Sequence, residues 1–490
     1  MLLWTLASPL ASVPDEPTHF IRAAAVVRGE VITRALPSMP MEAEAIVPNY
    51  VAHTNAQTCF AFKPNVPAGC QRLVSGDPNA PTVTGQTADA NNPAFYAIVG
   101  LPSLVLSGNA ALYAMRGVSA VLCALMIAFT FMAVSQLRRA RWAYFAAFVS
   151  TTPMVLYLGG SVNPNGLEAT AAGALFAMLA LTFSTYSHGR RLIERLGAIA
   201  LSTGLLVSTR NISLLWVLLA LVAALLLSRA NIMRRLARNP LVWVTVATVM
   251  VICFLALLWF IRPPVTQPQP ALPGAGTAFI IAFVSMLVAT FNYGIGWVGF
   301  FGWVDTPAPN ITFVAWSAGM VGIAIAAFAI GRGTKRWALI LLLAALFLTP
   351  AFAQASIVAK AGYIWQGRYT LAIVVMLVLA CGFVLDRFGR SAPNPVLRMS
   401  VAILIGFLGI GQIAAFVMTL KRYVIGANAS IQLMFTGQSW IPPLGWPTLA
   451  LAFTAVTAVA CVVIFRVAFS PEHSRRTNHN SPLEERLASS

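Results

Sequence analysis

The chain has 490 residues, of which 58% are hydrophobic and only 9% carry a charged side chain. Soluble domains have roughly 25% charged residues, so a soluble fold of this length could not cover its surface, and the lipid bilayer must surround most of the chain. The formal net charge of +18 would suit a nucleic-acid binder, but in membrane proteins basic residues collect in cytoplasmic loops. Composition therefore predicts a multi-pass membrane protein with no nucleic-acid partner.

The chain opens on an apolar segment, residues 1–13. A span needs about 20 apolar residues, because the hydrocarbon core is about 30 Å thick and a helix rises about 1.5 Å per residue. We therefore expect a truncated first transmembrane helix at 1–13. Residues 14–108 follow as a long external loop, in which the short apolar run 94–107 predicts an interfacial helix. Within this loop Cys59 and Cys70 would form a disulfide if the loop is exported.

From residue 109 the chain alternates between long apolar runs and polar loops. Eleven runs are long and apolar enough to be transmembrane helices, which predicts a core of 11–12 helices over 109–467. The runs are 109–136, 142–160, 164–186, 195–209, 211–228, 240–261, 311–331, 336–354, 369–386, 398–420 and 446–467. The predicted external loops are 262–310, 355–368 and 421–445. The shorter run 277–292 predicts a second interfacial helix, and the polar residues 468–490 predict a disordered cytoplasmic tail.

The distribution of basic residues predicts the orientation of these helices. Arginine-rich loops such as Arg138–Arg141 and Arg229–Arg238 follow every second span, and the loops between them are poor in short basic clusters. Because basic loops remain in the cytoplasm, the C-terminus is expected inside and the long polar segments outside. We therefore expect a multi-pass protein of the cell membrane with its chemistry on the outer face. The preference for arginine over lysine favours a bacterial source.

The clearest candidate for chemistry is Pro14–Phe20, which opens the first external loop. It places Asp15, Glu16 and His19 where the chain leaves the membrane. A carboxylate at the bilayer edge is partly desolvated, which strengthens it as a general base. Helix capping is the alternative, since an aspartate followed by glutamate and proline is typical of a helix N-terminus.

Other polar residues stand at the outer ends of the predicted helices. They lie in the motifs Asn91–Tyr96, Ser161–Glu168, Gly294–Asp305 and Trp365–Tyr369. Arg210 and Arg368 are unusual on this side, because the positive-inside pattern disfavours them there. A guanidinium binds phosphate through two parallel hydrogen bonds, which favours phosphate capture. Snorkelling of these side chains to lipid headgroups is the alternative.

Five motifs together resemble a known family. In chain order they are PDEPTHF, NNPAFY, SVNPNGLE, GWVGFFGWVDT and QGRY. They look like the predicted membrane proteins grouped as domain of unknown function family 2142, over roughly residues 10–425. That family is placed with the GT-C superfamily of membrane glycosyltransferases. The resemblance implies an all-α polytopic membrane protein, a GT-C-like bundle of 11–12 transmembrane helices with a long first external loop and short interfacial helices.

The resemblance also implies a function and residue roles. GT-C enzymes take a sugar from a polyprenyl-phosphate donor, and an acid just after the first helix acts as general base on the acceptor. Similarity therefore nominates Asp15, with Glu16 beside it and His19 assisting, in an inverting transfer to a cell-envelope glycan or lipid on the outer face. Arg368 and Arg210 would bind the donor phosphate. The expected substrate-lining residues are Asn92, Tyr96, Asn163, Glu168, Trp297, Trp303, Asp305, Gln366 and Tyr369.

The expected partners are the polyprenyl-phosphate sugar, the glycan acceptor and the lipid bilayer. No cofactor is required, although a divalent cation held by Asp15 or Glu16 would assist a phosphate leaving group. Two other functions stay open at this point. One is a transporter or flippase of lipid-linked saccharides, and the other is a non-catalytic membrane protein of envelope assembly. Transporters more often place their polar residues near the middle of the membrane.

Overall fold

The computed structural model describes residues 1–388 and 395–469, and this part of the chain is mostly helical. The first element is α1 (Leu2–Ala7). The segment predicted to be external, residues 14–108 and here called the first external segment, contains α2 (Glu16–Val26), β1 (Ala35–Leu36), β2 (Met39–Pro48), α3 (Asn49–Ala52), β3 (Pro81–Gln86) and α4 (Pro93–Val99). The next elements are α5 (Gly108–Ser135), α6 (Arg141–Ser150), α7 (Pro153–Gly159), α8 (Pro164–Ser184), α9 (Gly189–Val207), α10 (Ser213–Leu227), α11 (Ala230–Ala237) and α12 (Pro240–Phe260). The last are α13 (Phe279–Tyr293), α14 (Ile295–Val298), β4 (Phe300–Phe301), β5 (Thr306–Pro307), α15 (Asn310–Ile330), α16 (Thr334–Ala361), α17 (Leu371–Phe388), α18 (Pro395–Ile425), α19 (Leu433–Thr436) and α20 (Trp446–Phe469).

The protein is a polytopic helical membrane protein. Within the described ranges, eight helices are long and apolar enough to cross a membrane, and the bent pair α10–α11 would make nine. The eight are α5, α8, α12, α15, α16, α17, α18 and α20. Every one of the eleven predicted runs falls on helix. The difference in number comes from three runs that are too short, bent or charged to count as single apolar spans.

Three local causes explain those runs. The run 142–160 is split into α6 and α7, because Pro153 starts a new helix and lacks the N–H that would continue the previous one. The run 195–209 is the second half of α9, whose first turns carry Arg190, Arg191 and Arg195. The run 211–228 ends where α11 turns away from α10 by 120°.

Two helices form the centre of the bundle. α8 and α17 are almost completely buried, whereas α12 is almost completely exposed. Small residues let the central helices approach closely: a Cβ atom at Gly173 of α8 would lie 2.7 Å from Val375 of α17. A Cβ atom at Gly382 would likewise lie 2.6 Å from Ala146 of α6. Close packing through small residues is the usual way in which membrane helices associate.

Helix α1 has only six residues and is too short to cross a bilayer. It lies inside the bundle instead of at its edge. Trp4 is fully buried and contacts the rings of Tyr157, Phe301 and Phe416. The segment 1–13 therefore packs inside the helical bundle and leads directly to Asp15. We call residues 1–13 the plug.

The first external segment contains a small sheet, which the all-α expectation does not include. β2 pairs with β1 and β3 in antiparallel fashion. The cause is visible in the sequence of β2, where Ala43, Ala45 and Val47 are buried and the residues between them are more exposed. This alternation is the period of a strand that covers a core with one face.

The predicted loop boundaries also shift. α16 continues to Ala361 and α18 to Ile425, so the loops predicted at 355–368 and 421–445 begin inside helices. The two predicted interfacial helices are helical, as α4 with a following 3₁₀ turn and as α13. The predicted tail 468–490 lies outside the described residues after Phe469, and the first residues of that range complete α20.

Cys59 and Cys70 are joined by a disulfide in the first external segment. It closes a short loop that packs with Phe60 and Ala68 against Tyr423 of α18. Replacing both cysteines by serine is expected to destabilise this loop by about 2–4 kcal/mol, because the unfolded chain regains the freedom that the bond removes. Thermal unfolding of the purified protein, with and without reductant, measures the effect. Equal midpoints for wild type and the double variant would contradict the prediction.

Candidate functional site

Asp15 immediately precedes α2, at the N-cap position of this helix. Its backbone is left-handed, with φ 66°, and its side chain caps no N–H of the helix. Oδ2 instead accepts a hydrogen bond from Nη2 of Arg368 at 2.8 Å. The Asp15 side chain is 52% exposed, whereas that of Arg368 is 2% exposed. Helix capping therefore does not explain this aspartate, and a left-handed non-glycine residue of this kind is often found at functional sites.

Arg368 has hydrogen-bond donors that no described residue uses. Its Nε and Nη1 are buried and have no hydrogen-bond partner among the described residues, and Oε1 of Gln366 is also buried without a partner among them. The loop that carries both residues packs closely on the turn after α13: a Cβ atom at Gly367 would lie 2.0 Å from the carbonyl oxygen of Tyr293. Buried polar atoms are nearly always paired in folded proteins, so unpaired guanidinium nitrogens point to an anionic ligand.

A small polar cavity of about 170 Å³ lies beside Asp15. Its lining residues are Asp15, Thr18, His19, Thr87, Ala88, Asn91, Pro164, Asn165, Arg210 and Tyr369. Arg210 donates to Oδ1 of Asn165 at 2.8 Å and lies 3.8 Å from Glu168. Its guanidinium stacks over the ring of Tyr369 at 4.3 Å, which holds the cation in place without neutralising it.

A larger cavity of about 580 Å³ lies on the other side of Asp15. Asp15, Thr18 and Thr87 line both cavities, so they form the wall between them. The larger cavity is also lined by Glu42 and Trp303, and none of its lining residues is cationic. The carboxylate of Asp15 is therefore accessible from a cationic compartment and from a neutral to acidic one.

His19 and Tyr96 form a buried hydrogen-bonded pair behind the small cavity. The Tyr96 hydroxyl lies 2.9 Å from Nδ1 of His19 and accepts from the amide of Asn91, also at 2.9 Å. Burial lowers the pKa of His19 to about 4; Asp15 opposes this shift, and Arg368 and Arg210 add to it. Burial likewise raises the pKa of Tyr96. His19 is therefore neutral near pH 7 and can position a substrate or Asp15 only through uncharged hydrogen bonds.

The lowered pKa of His19 predicts a pH dependence of stability. The unfolded histidine takes up a proton near pH 6.5 and the folded one only near pH 4, so the free energy of unfolding should fall as the pH drops from 6.5 to 4. The loss is up to about 3 kcal/mol, at 1.36 kcal/mol per pH unit. The variant His19→Gln should reduce this loss, whereas the exposed His188→Gln should retain it. Unfolding midpoints at pH 7.5 and 4.5 compare the three proteins; equal losses would contradict the prediction.

Glu16 lines neither of the two cavities beside Asp15, so its expected catalytic role stays a prediction. Both of its carboxylate oxygens are taken by Arg116, through Nε at 2.7 Å and Nη2 at 2.5 Å, and Oε1 also accepts from the backbone of Val162. Both side chains of the ion pair are fully buried. A cation shared by Asp15 and Glu16 therefore does not fit. Within 1–388 and 395–469, no group of three or more histidine, cysteine, aspartate or glutamate residues could hold a metal ion.

Arg116 fixes the chain that leads to Asp15. Besides Glu16 it donates to the carbonyl oxygens of Thr5, Ser8 and Pro9, so all five of its N–H groups are used. An arginine inside an apolar helix is costly unless it is paired, and that argument would have identified Arg116 from the sequence.

Two of the expected substrate-lining residues instead hold the backbone of the site. The amide of Asn163 donates to the carbonyl oxygen of Pro14 at 3.0 Å, and its oxygen caps α8. The side chain of Asn92 caps α4. Neither lines a described cavity next to Asp15. Asn163 positions the residue before Asp15, and Asn92 positions the helix that carries Tyr96.

The remaining residues that were expected to line the substrate also form two groups: some line a cavity, and the others hold neighbouring residues in place. Trp303 and Tyr369 line the two cavities. Glu168 accepts from Ser213 and Trp216 and orients Arg210. Asp305 pairs with buried Arg422 at 3.0 Å, and Trp297 donates to Thr370 beside Arg368. Thr18 and Asn91 lie in the motifs Pro14–Phe20 and Asn91–Tyr96 and also line the site, although no role was predicted for either. Thr87 lies outside every motif, because a threonine in a polar loop gives no distinct signal.

A family model described as Predicted membrane protein (DUF2142) matches residues 1–377. Two solved structures are similar: ArnT from Cupriavidus metallidurans in the apo state, at 15% identity and TM-score 0.43, and the same protein bound to undecaprenyl phosphate, at 13% and 0.44. Each match covers 96% of this chain and 75% of that chain. No curated protein matches. Since the family model covers more than half of the sequence, the chain belongs to the DUF2142 family of predicted membrane proteins.

Proposed function

We propose that the protein is a GT-C-type membrane glycosyltransferase that uses a polyprenyl-phosphate sugar. The observation that carries this proposal is the placement of Asp15 between two cavities, in contact with a buried arginine that has unpaired donors. A half-exposed carboxylate next to a phosphate-type site is the arrangement that sugar transfer from a lipid phosphate requires. The acceptor is a glycan or lipid of the cell envelope, and the reaction takes place on the outer face.

The small cavity would receive the donor phosphate. Arg210 lines this cavity. Arg368 contacts Asp15, and its Nε and Nη1 have no hydrogen-bond partner among the described residues. Two guanidinium groups can bind phosphate oxygens and stabilise the charge that develops on the leaving group. His19 stays neutral beside the two arginines, so it does not act in their place as a proton donor to the leaving group.

The larger cavity would receive the acceptor. Its wall is uncharged apart from Asp15 and Glu42, and Trp303 offers an aromatic face to a sugar ring. Asp15 removes the proton of an acceptor hydroxyl, and the oxygen attacks the anomeric carbon from the side opposite the phosphate. The new glycosidic bond forms as the carbon–oxygen bond to phosphate breaks. The products are the inverted glycoside and polyprenyl phosphate.

Contact with Arg368 holds Asp15 in place before the substrates bind. Nη2 of the guanidinium donates to Oδ2 of Asp15 at 2.8 Å, which fixes the carboxylate at the boundary between the two cavities. A bound donor phosphate would share Arg368 with Asp15.

The location of the site on the outer face rests on the distribution of basic loops and on the disulfide. Cys59 and Cys70 are bonded in the segment that covers Asp15, and disulfides are typical of exported segments. With the first segment outside, the C-terminus would be cytoplasmic. Cysteine labelling from each side of intact cells, with one cysteine introduced at the exposed Ser75 and one at the exposed His188, tests this orientation.

The decisive experiment reconstitutes the purified protein in liposomes with polyprenyl-phosphate sugars and an envelope glycan acceptor. We expect transfer of sugar to the acceptor with inversion at the anomeric carbon, detected by mass spectrometry and NMR. Movement of the lipid-linked sugar between leaflets is measured in the same liposomes with a fluorescent donor. Translocation without transfer would overturn the proposal in favour of a transporter, and neither activity with any donor would favour a non-catalytic protein.

A further inference from the structure

A second polar cavity lies at the opposite end of the central helices. It has a volume of about 540 Å³. Its lining residues are Leu137, Arg138, Arg139, Ala180, Ser184, Thr185, Tyr186, Leu227, Arg229, Ile232, Phe383, Asp386 and Arg387. Four of them are arginines and one is an aspartate. Arg138 and Arg139 have interactions of their own, so Arg229 and Arg387 are the cations that a ligand could use.

The position of this cavity follows from the two buried helices. α8 begins with Pro164 and Asn165 in the wall of the small outer cavity and ends with Ser184 in the wall of this one. Its 21 residues span about 30 Å, the thickness of the hydrocarbon core. α17 connects the two ends in the same way, from Tyr369 just before it to Arg387 near its end. The cavity therefore lies on the inner face, one membrane thickness from Asp15.

The single acid in the wall, Asp386, is hydrogen-bonded to backbone groups and not to Arg229 or Arg387. The two carboxylate oxygens of Asp386 accept hydrogen bonds from the backbone N–H groups of Trp142 and Ala143, at 2.9 and 2.8 Å. The carboxylate thus caps the start of α6, which the helix dipole favours. The negative charge of Asp386 therefore acts on backbone N–H groups of the protein.

The cations converge on the cavity from three helix ends. Arg387 donates one hydrogen bond, to the carbonyl oxygen of Leu227 at 2.8 Å. Arg229 is exposed, and among the described residues its side chain has no hydrogen bond or ion pair. Its charge acts unfavourably on both Arg387 and Lys335. Three like charges held together by the fold cost free energy unless an anion joins them.

The rest of the wall is suited to an amphiphile. Leu227, Ile232 and Phe383 are mostly buried and form an apolar part of the cavity wall beside the arginines. α11, which carries Ile232, leaves the direction of α10 by 120° and places Arg234 and Arg235 in its last turn. Such a short basic amphipathic helix at a helix end is typical of segments that lie along the membrane surface.

We propose that this inner cavity is a binding site for the headgroup of an anionic membrane phospholipid. Arg229 and Arg387 bind the phosphate, and the glycerol backbone lies against the apolar wall formed by Leu227, Ile232 and Phe383. The site is separate from the outer cavities and does not depend on the reaction catalysed there. Anionic lipids are concentrated in the cytoplasmic leaflet, and basic pockets between helices on that side bind their headgroups.

Binding of short-chain lipids to the full chain in a neutral detergent tests the proposal. Dihexanoyl phosphatidylglycerol and dihexanoyl phosphatidylcholine are titrated and binding is measured by calorimetry, since the two lipids differ in net charge but share the phosphate and the acyl chains. We expect the anionic lipid to bind about tenfold more tightly, and R229Q/R387Q to lose about tenfold in that affinity. Arg191→Gln, an exposed arginine on the same predicted face but outside the cavity, is the matched control and should bind as wild type does.

Two results would overturn the proposal: equal affinity for the two lipids, or an equal loss in R229Q/R387Q and Arg191→Gln. Inorganic pyrophosphate is the competing probe for a soluble ligand. Failure of pyrophosphate to displace the lipid supports a lipid headgroup, whereas displacement at equal concentration would reject the lipid and assign the site to a soluble phosphate. If the double variant unfolds at a lower temperature than wild type, the single Arg229→Gln is used, because this exposed side chain makes no contact that folding needs.

Discussion

Replacing Asp15 by asparagine is expected to lower kcat for sugar transfer by about 10²–10⁴-fold, the usual contribution of a general base. The amide keeps the shape of the carboxylate, and its oxygen can still accept the hydrogen bond from Arg368 that Asp15 accepts at 2.8 Å. It cannot take up the proton of the acceptor hydroxyl. The site should therefore remain assembled while the chemical step fails.

The donor KM gives the sharper measurement. Asp15 neutralises part of the charge of Arg368, so in Asp15→Asn that guanidinium should offer its full charge to the donor phosphate. We expect KM for the donor to stay the same or to fall while kcat falls, which is the pattern of a group that acts in the transition state and not in substrate binding. Initial rates at varied polyprenyl-phosphate sugar, in liposomes, provide both constants.

Asp77→Asn is the matched control for this variant. Asp77 lies in the same external segment, is exposed, and uses Oδ1 to accept from the backbone N–H of Asn79, a role that an asparagine oxygen can also fill. It should retain the wild-type kcat and KM. Unchanged kcat in Asp15→Asn would remove Asp15 from the mechanism. A rise in its donor KM with unchanged kcat would make Asp15 a binding residue instead of a base.

Hydropathy predicted most of the fold because the bilayer imposes a simple length requirement on each helix. It placed all eleven runs on helix, and the exceptions have local causes, such as Pro153 between α6 and α7. The antiparallel sheet of the first external segment escaped prediction, although Ala43, Ala45 and Val47 alternate as a strand does. In a segment rich in proline and glycine, such a short alternation gives a weak signal.

The site was harder to predict because charge alone does not reveal which way a side chain points. Asp15 and Glu16 are adjacent and chemically alike, yet one faces the two cavities and the other is buried against Arg116. The left-handed backbone conformation at Asp15 turns the two side chains in different directions. The residue types at these positions do not reveal that conformation. Arg210 and Arg368 were easier to identify, since a cation on the outer side violates the usual distribution of charge.

The pair of Glu16 and Arg116 is expected to be the most sensitive point for stability. Arg116→Met would fill similar space but leave the Glu16 carboxylate fully buried with a single backbone N–H at 3.1 Å. Removing one partner of a buried ion pair costs about 3–5 kcal/mol. It would also leave the carbonyl oxygens of Thr5, Ser8 and Pro9 without the donors they have now. Denaturant unfolding in detergent, followed by tryptophan fluorescence, measures the loss.

The companion variants separate the buried charge from the lost packing. Adding Glu16→Gln to Arg116→Met removes the buried charge, so the double variant should recover part of the loss, since much of that cost comes from the unpaired carboxylate. Arg34→Gln breaks the exposed pair with Glu44 and should leave the unfolding midpoint unchanged, because surface ion pairs contribute little. If Arg116→Met unfolded like Arg34→Gln, the ion pair would not be what holds the plug of residues 1–13 in the bundle. The backbone that presents Asp15 would then be held by its other contacts, which include hydrogen bonds from Tyr157 and Tyr423 to Ser12 and from Asn163 to Pro14.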